Sequence, residues 1–208
     1  MIAVDGVRGA ILAGGGATRF GGKPKGLELV GGERILDRLA RTLERALGQP
    51  PLLVANAPDA AGWRPDLTTV SDLRPGLGSL GGIYTAVMTA PAPVVCVAWD
   101  MPFVSEELIH RLAAGLQEHD AMLPQSDGRR GVEPLCAAYG PACGPAISAS
   151  LDAGDLLAHR EAIARSGMTH AVLSLLEYGR RAPNAETGTR PCRHRTWCSR
   201  RSGPPTTV

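Results

Sequence analysis

Lysine is almost absent from this chain of 208 residues. Of its 22 basic residues 20 are arginine, and the two lysines, Lys23 and Lys25, stand close together inside one glycine cluster. Codon bias explains arginine wherever either cation serves, whereas a compact ammonium is retained where a planar fork cannot substitute. Both explanations stand at this point. A large basic excess is missing too: the formal charge is +2, far from the footprint of a phosphate-backbone binder, so nucleic acid is excluded as a partner. That charge is unevenly spread. Arg190, Arg193, Arg195, Arg200 and Arg201 place +5 on residues 190–208, which leaves −3 for residues 1–189. No long apolar run occurs. With 44% hydrophobic and 20% charged residues and a mean hydropathy of −0.02, neither a membrane span nor a disordered chain is expected. The five cysteines (Cys96, Cys136, Cys143, Cys192, Cys198) form no CxxC pair, and the start MIAVDGVRGA lacks the apolar core of a signal peptide. Reduced thiols and a cytoplasmic location are the expectation. The histidines show no HExxH or shared spacing, and Cys192, His194 and Cys198 fall short of a closed zinc site.

Glycine and proline, by contrast, are plentiful at 26 and 17, without a collagen period. The glycines bunch at 14–16, 21–26, 31–32 and 76–82. Between these clusters, short apolar runs alternate with helix-period segments. Val7 to Ala13, Leu52 to Ala55 and Pro93 to Ala98 read as buried strands, the last rich in β-branched residues. Ile35 to Leu47 puts Ile35, Leu36, Leu39, Leu43, Ala46 and Leu47 on one helical face. Ser105 is placed to start a further helix. Beyond Met122 the pattern loosens, with strands expected over Val132 to Tyr139 and His170 to Leu176 and helices over Ala142 to Leu151 and Asp155 to Arg165. Such alternation implies an α/β fold, a mostly parallel sheet covered by helices on both faces, with ligands at the carboxyl ends of its strands. One domain over residues 1–189 and a disordered arginine-rich tail over 190–208 are expected.

The segment LAGGGATRFGGKPKGL, Leu12 to Leu27, carries the chemistry. A strand ends at Ala13, three glycines allow the backbone to turn and approach a ligand closely, and Arg19, Lys23 and Lys25 follow. Bare backbone donors with cations suit a triphosphate. The segment is not a Walker loop, because Ala17 stands where its first glycine belongs and Pro24 where Ser or Thr belongs. It is not a GxGxxG dinucleotide loop either, since Arg19 occupies the third glycine position. Asp100 lies at the carboxyl end of the best strand, where a hard carboxylate suits Mg²⁺ and a turn or capping aspartate is the plainer alternative.

This loop resembles the G-G-x-x-x-R-[FM]-G-x-x-K loop of NTP-transferase enzymes, most closely that of the molybdenum cofactor guanylyltransferases. Further motifs follow in order over residues 8–189: Asn56, Asp72 in SDLRPG, Gly78-Ser79-Leu80-Gly81-Gly82-Ile83, DMPF at 100–103, and Glu133-Pro134-Leu135 leading to Ala138-Tyr139. The resemblance implies a three-layer, Rossmann-like nucleotidyltransferase fold and transfer of GMP from GTP to molybdopterin with release of pyrophosphate. It implies GTP and molybdopterin as substrates, Mg²⁺ as cofactor, and molybdoenzymes or other cofactor-biosynthesis proteins as partners. Matched residue by residue, Leu12, Ala13, Gly14 and Gly15 would contact the nucleotide through their backbone, Asn56 and Asp72 would hold guanine or ribose, and Gly78 and Gly82 would lie on the base side. Lys25 and Arg19 would neutralise the phosphates, and Asp100 would hold the metal. Ser79 replaces a proline common in the family, and the closing Asn-x-Asn-Thr-Pro segment is matched here only at Asn184 and Thr187, with Glu186 and Gly188 in the other places. Three alternatives remain open: a molybdopterin cytidylyltransferase, a sugar-phosphate nucleotidyltransferase, and a non-catalytic nucleotide- or cofactor-binding partner of molybdoenzymes.

Overall fold

The computed structural model describes residues 6–14, 24–126, 131–154 and 169–173. Two layers of helix enclose a seven-stranded sheet. Its strands are β1 (Arg8–Leu12), β4 (Leu52–Val54), β5 (Thr69–Val70), β6 (Val94–Ala98), β7 (Ala121–Pro124), β8 (Cys136–Tyr139) and β9 (His170–Leu173), in the spatial order β5-β4-β1-β6-β8-β7-β9. Within this sheet β8 alone runs against its neighbours, so the sheet is mostly parallel, as expected. A small antiparallel hairpin, β2 (Leu29–Val30) and β3 (Glu33–Arg34), leads into helix α1 (Ile35–Leu47).

The order of connections decides which face each helix covers. From β1 the chain passes through α1 to β4 and β5 on one side, then returns through α2 (Gly78–Thr89) to β6 on the other side of β1. Right-handed crossovers in opposite directions place their helices on opposite faces. The packing agrees with this. Ile11, Val95 and Val97 share one core with Leu36, Leu39 and Leu43 of α1 and Ile109 and Leu112 of α3 (Glu106–Gly115). Ala10, Leu12, Val94 and Cys96 point the other way, into a second core with Leu80 and Ile83 of α2 and Ile147 and Leu151 of α4 (Cys143–Asp152). Strand alternation thus divides β1 and β6 between two cores. The reversal beside β1 is a topological switch point, and a crevice opens outside the carboxyl ends of the strands there.

Several expectations hold and some need correction. Ser105 caps α3, its hydroxyl accepting the Leu108 amide at 3.2 Å. The expected strand over Val132 to Tyr139 is broken: Val132 makes an isolated bridge to Gln125, a turn follows at Pro134 and Leu135, and only Cys136–Tyr139 joins the sheet. Pro134 has no amide to give a ladder, which explains the break. The helix expected over Asp155 to Arg165, the tail at 190–208 and the Asn184–Thr187 match lie outside the described residues. Among the described residues no helix is long and apolar enough to cross a membrane.

Candidate functional site

Four strand ends meet at one edge. The Ala13 amide donates to Val54 O at 2.8 Å, the Ala55 amide to Val70 O at 2.9 Å, and the Trp99 amide to Leu12 O at 3.2 Å. The residues that leave β1, β4, β5 and β6 therefore emerge side by side. Asn56 and Asp72, sixteen positions apart, clasp each other: Asn56 Nδ2 donates to Asp72 Oδ2 at 2.6 Å, and the Asp72 amide donates to Asn56 Oδ1 at 2.8 Å. One carboxylate oxygen of Asp72 is thereby engaged and Oδ1 faces α2, where a methyl added to Gly82 would stand 3.9 Å from it.

The other side of the Asp72 loop is fixed by Thr85, a fully buried polar side chain on α2. Its hydroxyl accepts the Leu73 amide at 2.9 Å and donates to Gly81 O at 2.9 Å. Further along, Arg74 Nη2 donates to Asp152 Oδ1 at 2.5 Å, tying the loop to α4. The result is a cavity of about 90 Å³ lined by Leu12, Gly14, Val54, Asp72, Gly78, Ser79, Gly82, Ala98 and Leu135. Five residues singled out from the sequence, Leu12, Gly14, Asp72, Gly78 and Gly82, meet in it. Leu135 is held there because its carbonyl accepts the Ala98 amide at 2.7 Å and its amide donates to Glu133 Oε1 at 3.1 Å.

Lys25 opens a single 3-10 turn, Lys25–Leu27, that runs back into α1 through the Ile35 amide, which donates to Glu28 O at 3.0 Å. Lys25 Nζ stands 4.0 Å from Asp100 Oδ2, with side chains 43% and 52% exposed. An ion pair so loose and so wet contributes less than about 1 kcal/mol to the fold. Among the described residues no three His, Cys, Asp or Glu side chains gather as a ready metal site. A lone half-exposed carboxylate does fit Mg²⁺ carried by a triphosphate, which takes one or two carboxylates and fills its octahedron with phosphate oxygens and water. Gly15, Arg19 and Lys23 lie outside the described residues.

No thiol in the described residues is poised as a nucleophile. Burial pushes Cys136 up to about 12 and Cys143 up to about 11, and Cys96 higher still. Tyr139 is buried, donates to Pro134 O at 2.8 Å, and is held well above the usual phenol range by that burial. Two features were missed in the sequence. Thr85 gave only a weak signal, one of four hydroxyl side chains in α2 with Ser79, Tyr84 and Thr89, and the stacked pair Trp63 and Trp99 left no periodic signal.

Residues 9–177 match the family described as MobA-like NTP transferase domain. A protein of Desulfosudis oleivorans named molybdenum cofactor guanylyltransferase is 35% identical over 157 residues, 74% of this chain and 75% of that one. A protein of Pelotomaculum thermopropionicum named probable molybdenum cofactor guanylyltransferase is 34% identical over 146 residues, 70% of this chain and 69% of that one. Among solved structures, molybdopterin-guanine dinucleotide biosynthesis protein A from Archaeoglobus fulgidus superposes with a TM-score of 0.65 at 22% identity, covering 83% of this chain and 86% of the other. At that identity the likeness speaks for the fold, a nucleotidyltransferase fold of Rossmann-like type.

Proposed function

The chain belongs to the MobA-like NTP transferase domain family, and from that premise we propose that it transfers GMP from GTP to the terminal phosphate of molybdopterin, releasing pyrophosphate. The observation that carries the reading is the convergence at the switch point: a niche lined by Asp72, Leu12 and Ala98 lies at the ends of β1 and β6, and two residues past Ala98 Asp100 pairs with Lys25. The names of the curated relatives support guanylyl transfer to the molybdenum cofactor in particular. We assign the activity to one domain over residues 1–189.

In this reaction a molybdopterin phosphate oxygen attacks the α-phosphorus of GTP in line, the bond from that phosphorus to the β-phosphate oxygen breaks, and pyrophosphate leaves. Such chemistry needs positioning and charge neutralisation rather than a covalent enzyme intermediate. At the end of β1 the Leu12 carbonyl and the Ala13 amide are engaged by Trp99 and Val54, so the backbone offered to the nucleotide is the Ala13 carbonyl and Gly14, and Asn56 orients Asp72 toward base or ribose. Gly78 and Gly82 keep the base side of the niche open. Lys25 neutralises charge that grows on the departing pyrophosphate, and Arg19, earlier in the same glycine-rich segment of sequence, is assigned the same task. Asp100 would hold Mg²⁺, which when bound draws electron density from the phosphates.

The test incubates the protein with Mg²⁺ and molybdopterin and offers GTP or CTP, with pyrophosphate as the readout. Release with GTP is expected. Release with CTP alone overturns the guanylyl assignment, and tight GTP binding without release favours a binding partner of molybdoenzymes. Asp100→Ala should lower turnover by at least about a hundredfold. Its loose pair contributes little to folding, so the melting temperature should hardly move, and preserved turnover would remove Asp100 from the site.

A further inference from the structure

Lys25 and Asp100 come together through a contact made by their neighbours. Gly26 follows Lys25, Trp99 precedes Asp100, and these two residues touch. A Cβ added to Gly26 would stand 2.4 Å from Trp99 Cε3 and 2.9 Å from Trp99 Cδ2, so the glycine backbone lies directly on the indole ring. No other residue type fits there without moving the ring or the turn.

Trp99 is not free to move. Its amide donates to Leu12 O, carrying the β1–β6 ladder one residue past the strand. Its ring stacks on Trp63 with centroids 5.4 Å apart and planes 21° from parallel. Trp63 is fixed in turn, Nε1 donating to Asp59 Oδ2 at 2.9 Å. Both indoles are buried although the ion pair beside them is half exposed. In the Lys25–Leu27 turn the buried residue is Gly26, the one resting on Trp99, and the turn has no side-chain cap. A rigid aromatic wall therefore seats the residue next to the site lysine.

We propose that Trp99, braced by Trp63, is a positioning residue of this site: its close contact with Gly26 sets the spacing of Lys25 from Asp100 and so the grip on a nucleoside triphosphate. Neither indole touches the reacting atoms. What the pair grips rests on the nucleotidyl-transfer reading, but the spacing itself does not. A misplacement on the order of 1 Å in such a pair is enough to cost about a hundredfold in rate.

The experiment compares wild type with Gly26→Ala, Trp99→Leu, the double variant and Trp99→Phe. Three quantities are read: GTP affinity by calorimetry with Mg²⁺, the exciton-coupled circular dichroism of the stacked indoles, and pyrophosphate release. Gly26→Ala should weaken GTP binding at least about tenfold and alter the indole signal. Trp99→Leu should lose that signal and weaken binding to a similar degree. Because leucine can turn its branch away from the new methyl, the double variant should bind GTP no worse than Trp99→Leu alone. Trp99→Phe, which keeps a ring against Gly26, should stay within about threefold of wild type and decides the matter if Gly26→Ala fails to fold. Multiplying losses in the double variant overturn the proposal. So does GTP affinity within twofold of wild type in folded Gly26→Ala and Trp99→Leu, and so does Trp99→Phe binding no better than Trp99→Leu. A wild type that binds GTP but releases no pyrophosphate removes the transfer reading and leaves the positioning result standing, whereas failure to bind either GTP or CTP overturns both.

Discussion

Thr85→Val should lower the melting temperature by about 4–8 °C and weaken GTP binding while leaving the rate at saturation nearly unchanged. Valine matches threonine in shape, so no cavity opens and the effect comes from the hydroxyl. Gly81 O sits inside α2 and keeps its place in the helical ladder when the hydroxyl goes. The Leu73 amide does not, since its partner is Thr85 Oγ1 at 2.9 Å. Losing that bond costs about 1 kcal/mol, and stranding the amide costs about 1–3 kcal/mol more where water is excluded. Leu73 is 56% exposed, so water relieves part of the second cost and the total is about 2 kcal/mol. In a domain of this size each kcal/mol moves the midpoint by about 2–4 °C, which gives the range above.

The effect on binding follows from what the amide holds. Leu73 is next to Asp72, which Asn56 fixes from the other side. Freed at one end, the Asp72 carboxylate samples more orientations, and GTP affinity should fall about three- to tenfold, the size of one lost hydrogen bond. Lys25 and Asp100 belong to other elements, so turnover at saturating GTP should change less than twofold. Thermal unfolding and calorimetric GTP titration measure both effects, and Thr85→Ser, which keeps the hydroxyl, should restore the affinity. A valine variant that melts within 1 °C of wild type refutes the hydrogen-bond reasoning. One that melts early yet binds GTP normally refutes the link from Thr85 to the nucleotide.

Lys25→Arg conserves charge but should cut pyrophosphate release at least about tenfold, because a guanidinium beside Asp100 can close on it bidentately. Wild-type release in that variant would refute the distinction. Cys136 and Cys143 should resist iodoacetamide at pH 8 in the native protein and react on unfolding, since with pKa values near 12 and 11 at most about one thiol in a thousand is ionised. The same shift sets a pH dependence of stability. The unfolded thiols ionise near 9 and the folded ones only near 11 to 12, so their contribution is complete below pH 9 and is lost as pH rises toward those values. The melting temperature should therefore fall above about pH 9, and a flat profile to pH 11 would refute the burial argument.

Three of the four strands that carry the site were legible because each is a short apolar run: Arg8–Leu12, Leu52–Val54 and Val94–Ala98 all fall inside the expected segments, whereas β5, only Thr69–Val70, is too short to leave a pattern. α1 was legible because its apolar residues recur on one face. α2 was not, although its glycines were noticed. GSLGGIYTAVMT has three glycines and apolar residues all round, which reads as a loop, yet seven of its twelve residues are buried between β1 and α4. Burial overrides weak helix propensity there, and with apolar residues all round no period marks the helix. The antiparallel direction of β8 was hidden for a similar reason, since CAAY has no feature that depends on direction. For the site, the chain named Asn56 and Asp72 one at a time. Their clasp depends on β4 and β5 pairing in register, a fact of tertiary structure.

The scarcity of lysine can be weighed against what the arginines do. Arg34 clasps both oxygens of Asp37, Arg41 both oxygens of Glu33, and Arg64 both oxygens of Asp66. Arg45, Arg74 and Arg111 pair with Glu106, Asp152 and Glu107. In each case the guanidinium occupies a carboxylate; the Arg64 clasp, for instance, drives Asp66 down to about 2. Such a clasp is what a carboxylate meant for a ligand must avoid. Asp100 faces the ammonium of Lys25 at 4.0 Å, a point charge that attracts phosphate without filling both oxygens. Codon bias can account for arginine at the clasps, where a fork serves as well or better. It does not by itself account for lysine beside Asp100, where a fork would tie up the carboxylate that the nucleotide needs.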